Sequence, residues 1–295
     1  MSLSLRARLV QRVIPRIMPG SELSPEEQRA KLDKPLGLPN RRAEVADTQL
    51  GGVPVTRYQP KGAPRRRQLL HFHGGGFVVG TTRTFGGYLS ELAVRADAVV
   101  TSVEYRRAPE HPYPAAIDDC AAVYRAMVDQ VDQSSFAVIG ESAGGNAVLA
   151  TLVRARDEGW TLPAAAVVLS PWLDLTFSGD SITRNEHTEL MLEPALFTSW
   201  RDAYVGQGDA ADPGISPLFA DLHGLPPMHV QATTAEVLED DARRLVERLT
   251  EAGVDAELEV FDELWHVFQT QSALVPEGRE ALERVNAFIR THTLG

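Results

Sequence analysis

Phe136-Ala137-Val138-Ile139-Gly140-Glu141-Ser142-Ala143-Gly144-Gly145 is the stretch that decides the fold. Its first four residues are apolar and partly β-branched, which suits a short buried strand. The residues that follow, Asn146-Ala147-Val148-Leu149-Ala150-Thr151-Leu152-Val153, read as a helix. Between the two runs lies G-x-S-x-G, so the chain turns sharply from strand to helix with Ser142 at the tip. Glycine at 140 and 144 keeps side chains off the neighbouring strand and helix. The amides after Ser142 open a helix N-terminus, where free N–H groups favour developing negative charge. A bare G-x-S-x-G also occurs as a structural turn, so its meaning rests on its surroundings.

Working outward, strand-like and helix-like segments alternate. Strands are expected at 53–58, as an edge strand, and at 69–72, 98–103, 136–139, 164–170, 228–232 and 256–261. Helices are expected at 88–96, 115–129, after Ser142, at 240–252 and at 277–292, with a polar turn from Pro60 to Arg67. Such alternation predicts an α/β chain with a mostly parallel sheet covered on both faces. Its active site is expected beyond the C-terminal strand ends. Two parts fall outside the alternation. Residues 1–45 read as helical and polar, with Ser24-Pro25-Glu26-Glu27 as a helix start. Residues 171–220 carry Pro171, Trp172, Trp200, Tyr204 and Pro213, a helix near 194–204, and the look of an insertion over the sheet.

The 295 residues are 43% hydrophobic, enough for a substantial core, and carry 40 acidic against 29 basic side chains, net −11. That balance argues against nucleic acid or an anionic surface as a main partner. A single cysteine, Cys120, precludes an internal disulfide, and no Cys/His cluster has zinc spacing, so no metal is expected. No stretch suits a membrane span, and stable membrane insertion is not expected. Residues 1–20 stand apart: Arg6, Arg8, Arg12 and Arg16 without an acid, and Leu5, Leu9, Val13 and Ile17 at helical spacing. The arginines interrupt any secretory h-region. An amphipathic helix packed on the protein's own body is the first expectation, and a transit or membrane-surface helix the alternative. The expected location is cytoplasmic.

Acyl transfer from an ester needs a nucleophile, a base oriented by an acid, and donors for the oxyanion. Ser142 is the nucleophile candidate. His266, in Leu264-Trp265-His266-Val267-Phe268 just past the last expected strand, is the base candidate; its plain alternative is a histidine packed between aromatics. The acid falls in Glu236-Val237-Leu238-Glu239-Asp240-Asp241, which offers four carboxylates at a helix start. Glu236 comes soonest after the strand, and Asp240 is its main rival. His73-Gly74-Gly75-Gly76 follows the strand at 69–72; three successive glycines suit backbone amides that must approach a substrate oxygen. The donors are expected to be the amides of Gly75, Gly76 and Ala143.

With those residues assembled, the chain resembles the hormone-sensitive-lipase-like carboxylesterase branch of the α/β-hydrolases over about residues 40–295. Further matching stretches are Tyr105-Arg106-Arg107-Ala108-Pro109-Glu110-His111-Pro112-Tyr113-Pro114, Ser170-Pro171-Trp172-Leu173-Asp174-Leu175 and Ile215-Ser216-Pro217-Leu218. The resemblance implies an eight-stranded, mostly parallel sheet with a helical cap. The cap would comprise residues 1–45 and an insertion at about 175–220, over a catalytic domain at 46–295. It also implies hydrolysis of small or short-acyl esters without a cofactor, with a homodimer as one arrangement. Two positions depart from the pattern: Glu141 stands where Asp is common, and Glu236-Val237-Leu238 replaces Asp-Pro-Leu. Some relatives hydrolyse amides or cyclic esters, and Pro19-Gly20 with Ser24-Pro25-Glu26-Glu27 resembles the lactone group, so a lactone or amide hydrolase on the same triad is the alternative activity. A ligand-binding module on this fold is a third reading, at odds with an intact Ser142 and His266.

Overall fold

The structure, a computed structural model, describes residues 3–62 and 67–294. In chain order the elements are α1 (Leu5–Ile17), α2 (Pro25–Leu32), β1 (Ala43–Leu50), β2 (Val53–Pro60), β3 (Arg67–Phe72), α3 (Gly86–Ala96), β4 (Ala98–Val103), α4 (Ala115–Val128) and β5 (Phe136–Glu141). They continue with α5 (Ala143–Asp157), β6 (Ala165–Leu169), α6 (Ser181–Arg184), α7 (Pro194–Val205), β7 (Met228–Thr233), α8 (Glu239–Glu251), β8 (Ala256–Phe261) and α9 (Pro276–His292). The strands form one eight-stranded sheet in the order β1-β2-β4-β3-β5-β6-β7-β8. The β1–β2 and β2–β4 pairs are antiparallel and the remaining five parallel. This is the α/β-hydrolase architecture that the sequence motifs imply.

Alternation along the parallel strands sends side chains to two cores. Leu70, Phe72, Val138, Val168 and Val230 pack with Val123 of α4, Leu149 of α5 and Leu245 of α8. Leu69, Val100, Ile139, Val167 and Leu169 pack on the other side, with Leu89 and Leu92 of α3 and Val285 and Ile289 of α9. Truncating any of the fully buried leucines to alanine should cost about 2–5 kcal/mol.

The N-terminal reading needs two corrections. Residues 43–45 are strand, not helix: β1 runs on to Leu50, and its largely exposed Ala-Glu-Val-Ala-Asp-Thr-Gln-Leu sequence carries no strong strand signature. Consequently β2 is not an edge strand but lies between β1 and β4. Of the expected polar turn, residues 63–66 lie outside the described residues; Pro60 closes β2 and Arg67 opens β3.

Register is what assembles the site. Phe72, the last residue of β3, stands opposite Gly140 of β5, and Glu141 opposite Leu169 of β6. The chain leaving β3 therefore emerges beside the turn that carries Ser142. The N-terminal helices reach the same end of the sheet. Arg29 of α2 donates to both oxygens of Glu110 (2.8 and 2.7 Å) and to the carbonyls of Val78 and Ala108. Gln28 Oε1 accepts from Trp200 Nε1 of α7 at 2.7 Å, which ties α2 to the insertion.

Candidate active site

Ser142 sits between β5 and α5 with φ 54° and ψ −122°, a backbone that costs energy in any residue but glycine and persists only where its surroundings hold it. Here the Ser142 amide donates to the Leu169 carbonyl at 2.9 Å, and its own carbonyl accepts from Gly145 (2.9 Å) and Trp172 (3.1 Å). Gly144 is required by close approach: a Cβ there would lie 1.9 Å from the Phe72 carbonyl oxygen.

The segment after β3 begins with His73, fully buried, its ring stacked on Tyr105 at 4.1 Å between centroids. Burial holds the His73 ring pKa below the usual histidine range, so the ring serves as a neutral support. Gly75 has φ 118°, and a Cβ on it would strike the Val79 carbonyl. Among the described residues the amides of Gly75, Gly76 and Ala143 have no hydrogen-bond acceptor. Gly74 differs: its N–H donates to Glu141 Oε1 at 2.8 Å. The other oxygen, Oε2, pairs with His71 Nε2 at 2.8 Å, and His71 Nδ1 meets Ser102 Oγ at 2.9 Å. Glu141 thus ties the glycine loop to the serine turn through a fully buried carboxylate. In the sequence this residue reads only as a departure from Asp; the available signal is a polar residue in each of two apolar runs, His71 in 69–72 and Glu141 at the end of Phe136–Glu141.

Glu236 and His266 meet in the interior, with Glu236 Oε2 2.7 Å from His266 Nδ1. Glu236 Oε1 accepts from the Thr233 amide at 2.8 Å, which fixes the carboxylate. Thr233 Oγ1 donates to the Leu264 carbonyl at 2.7 Å, joining the segment after β7 to the His266 segment. The neighbouring carboxylates point elsewhere. Asp240 pairs with Arg184 at 2.7 Å and accepts from the Ser181 amide; burial works to raise its carboxyl pKa, yet these partners hold it below the usual range. Glu239 pairs with Arg184 and Arg243. Asp241 accepts from the amides of Leu173 and Asp174, and burial pushes its pKa up to about 7.

A further carboxylate, Glu189 from the insertion, escaped the sequence reading. It accepts from the amides of Met191 and Leu192 and, on its other oxygen, from Val237, which follows Glu236. Burial raises its pKa, opposed by the attraction of His266 and reinforced by Glu236. No spacing rule links residue 189 to 236, so only the folded chain reveals the contact.

Ser142 and His266 line one cavity of about 120 Å³. Gly74, Gly75 and Glu141 form its floor, and Ile14, Ile17, Met18, Leu32, Met191, Leu192 and Trp200 add apolar walls from α1, α2 and the insertion. Among the described residues no group of three or more His, Cys, Asp or Glu is placed to hold a metal ion.

Comparison with known proteins agrees with this geometry. A family model for the alpha/beta hydrolase fold matches residues 69–270. An acetyl-hydrolase of Streptomyces hygroscopicus is 39% identical over 228 residues, 77% of this chain and 76% of that protein. An esterase of Acinetobacter venetianus is 33% identical over 270 residues, 90% of this chain and 89% of its own. Among solved structures, an esterase from the bacterial hormone-sensitive lipase family superposes with a TM-score of 0.93 at 36% identity, covering 99% of both chains. EstE5, soaked with p-nitrophenyl butyrate, gives 0.93 at 32% identity over 98% of this chain and 99% of its own. The chain belongs to the α/β-hydrolase fold family, in its hormone-sensitive-lipase-like branch, and is a carboxylic ester hydrolase.

Proposed function

We propose that the protein hydrolyses small or short-acyl carboxylic esters through an acyl-enzyme on Ser142. The observation that carries this reading is the Glu236–His266 pair, 2.7 Å apart, with His266 on the wall of the cavity that exposes Ser142. His266 Nε2 takes the Ser142 hydroxyl proton as Oγ adds to the ester carbonyl carbon. Glu236 keeps the Nδ1–H in place and stabilises the imidazolium. The amides of Gly75, Gly76 and Ala143 stabilise the oxyanion, a role for which donors without an internal acceptor are suited. The C–O bond then breaks, and the alcohol leaves with the proton from His266. Water, deprotonated by His266, releases the acid and restores Ser142.

The cavity supports the short-acyl reading. An apolar cavity of about 150 Å³ takes benzene, so one of about 120 Å³ suits a short acyl group. Residues 1–45 and the insertion supply several of the cavity's apolar side chains, beside Val79, Phe85 and Val267, which supports their reading as a cap over the 46–295 catalytic domain. The test is a p-nitrophenyl ester series of increasing acyl length, with Ser142→Ala alongside. A rate that peaks at short chains and vanishes in the variant is expected; turnover retained by the variant would refute the mechanism.

A further inference from the structure

Helix α1 is held to the protein by one face only. Ala7 and Ile14 are buried against Leu264, Trp265, Phe268, Val275 and Ala281. The Ser4 hydroxyl caps its N-terminus and donates to Glu277. The opposite face is not polar, as the outer face of a surface helix normally is. Leu5, Leu9, Val13 and Ile17 form a straight row at four-residue spacing and are 80, 60, 50 and 55% exposed. Arg8, Arg12 and Arg16 make a second exposed row at the same spacing, about 60° round the helix. Single exposed apolar side chains need no explanation, but an aligned row beside a cationic row does.

We propose that this outer face of α1 docks the protein on an anionic lipid surface. Charge complementarity selects the occupant. The chain as a whole carries −11, yet residues 3–20 hold Arg6, Arg8, Arg12 and Arg16 and no acidic residue. Among the described residues none of these four arginines is in an ion pair. An apolar strip flanked by arginine is the pattern of a helix lying in the headgroup region, and each arginine near an anionic surface strengthens binding about fivefold. A second copy of the chain is the poorer fit, since a two-fold contact through this face sets like charges against each other. Docking here is peripheral: among the described residues no helix is long and apolar enough to cross a membrane.

The docking face adjoins the cavity. Ile17 belongs to the exposed row and lines the cavity with Leu36, itself 46% exposed, while Ile14 and Met18 line it from the inner side of the same helix. A docked α1 turns the cavity toward the lipid phase, where apolar esters concentrate. This last step rests on the proposed ester chemistry; the docking itself does not.

Co-sedimentation of the full chain with phosphatidylcholine vesicles, with and without phosphatidylglycerol, tests the proposal. Wild type and Ser142→Ala should both bind the phosphatidylglycerol vesicles, more weakly as salt rises. Arg8→Gln/Arg12→Gln should weaken that binding roughly 25-fold, from about fivefold per arginine, and Leu9→Glu/Val13→Glu should abolish it. Both double variants should keep wild-type turnover of a soluble ester, which shows that they fold. No binding by wild type to either vesicle, or binding that neither double variant alters, would overturn the proposal. So would a dimer in solution that Leu9→Glu/Val13→Glu dissociates. Because Ser142→Ala is scored for binding, loss of docking and loss of the catalytic mechanism are separate results.

Discussion

The C-terminal edge of the sheet and helix α1 sit on either side of the same cavity, and they are built in opposite ways. At the sheet edge the Glu236 and Glu141 carboxylates have a partner on each oxygen. Glu236 is held by Thr233 and His266, Glu141 by Gly74 and His71, and Ser142 is strained but clamped from both sides. Helix α1 has a buried side of only Ala7 and Ile14 and turns leucines outward. Catalysis needs positions fixed to fractions of an ångström, whereas a wall that admits substrate or meets a surface must yield or bind. The difference implies that substitutions at the sheet edge act on the chemical step, and substitutions on α1 act on access and docking.

The largest effects are expected at Ser142 and His266. Ser142→Ala and His266→Ala should each lower kcat by about 10⁴–10⁶, and the double variant should be little worse than either; steady-state kinetics of all three check this. Additive losses would mean that the two side chains do not act as a unit. Glu236→Gln comes next, with a loss near 10⁴ from a mis-set histidine tautomer, while Asp240→Asn should stay within about threefold. A large loss in Asp240→Asn with a small one in Glu236→Gln would reverse the assignment of the acid.

Glu141→Ala probes support rather than chemistry. With the Gly74 amide and His71 Nε2 left without a partner, the glycine loop should shift, lowering kcat roughly 10- to 100-fold with KM nearly unchanged. That places it below the 10²–10³ typical of deleting an oxyanion donor outright. Glu141→Gln, which keeps an acceptor for Gly74, should recover part of the rate. Equal losses in both variants would indicate a role for the carboxylate charge.

The smallest effect expected is on stability against pH. Burial raises Asp241 from its ordinary range to about 7 in the folded protein. A carboxyl with a raised folded pKa binds its proton more tightly when folded. Its contribution is therefore fully present below the unfolded value near 4 and is lost as pH climbs through about 7. Denaturant melts of Asp241→Asn should show a shallower decline in stability between about pH 4 and 7 than wild type; an unchanged slope would place the pH dependence elsewhere.

Much of the sheet edge is legible in the sequence because its demands fall on short contiguous stretches. The glycines around Ser142 and in 74–76 answer to local backbone geometry, and His266 and Glu236 follow their strands at once. What escapes the sequence depends on distant partners. Ala43–Leu50 carries too few apolar residues to announce strand β1, since an exposed edge strand is held by its backbone pairing with β2. Glu189 and Glu141 act through contacts to residues 48 and 67 positions away. For α1 the periodicity shows two rows and an amphipathic helix, but which face turns inward is decided by Trp265 and Phe268 more than 240 residues later.

The proposed mechanism puts the acyl group on Ser142, activated by His266. Intact-protein and peptide mass spectrometry after treatment with a fluorophosphonate tests it most directly. One adduct per chain on the peptide containing Ser142, formed far more slowly in His266→Ala, is the predicted result. An adduct on any other residue, or labelling of His266→Ala at the wild-type rate, would contradict it.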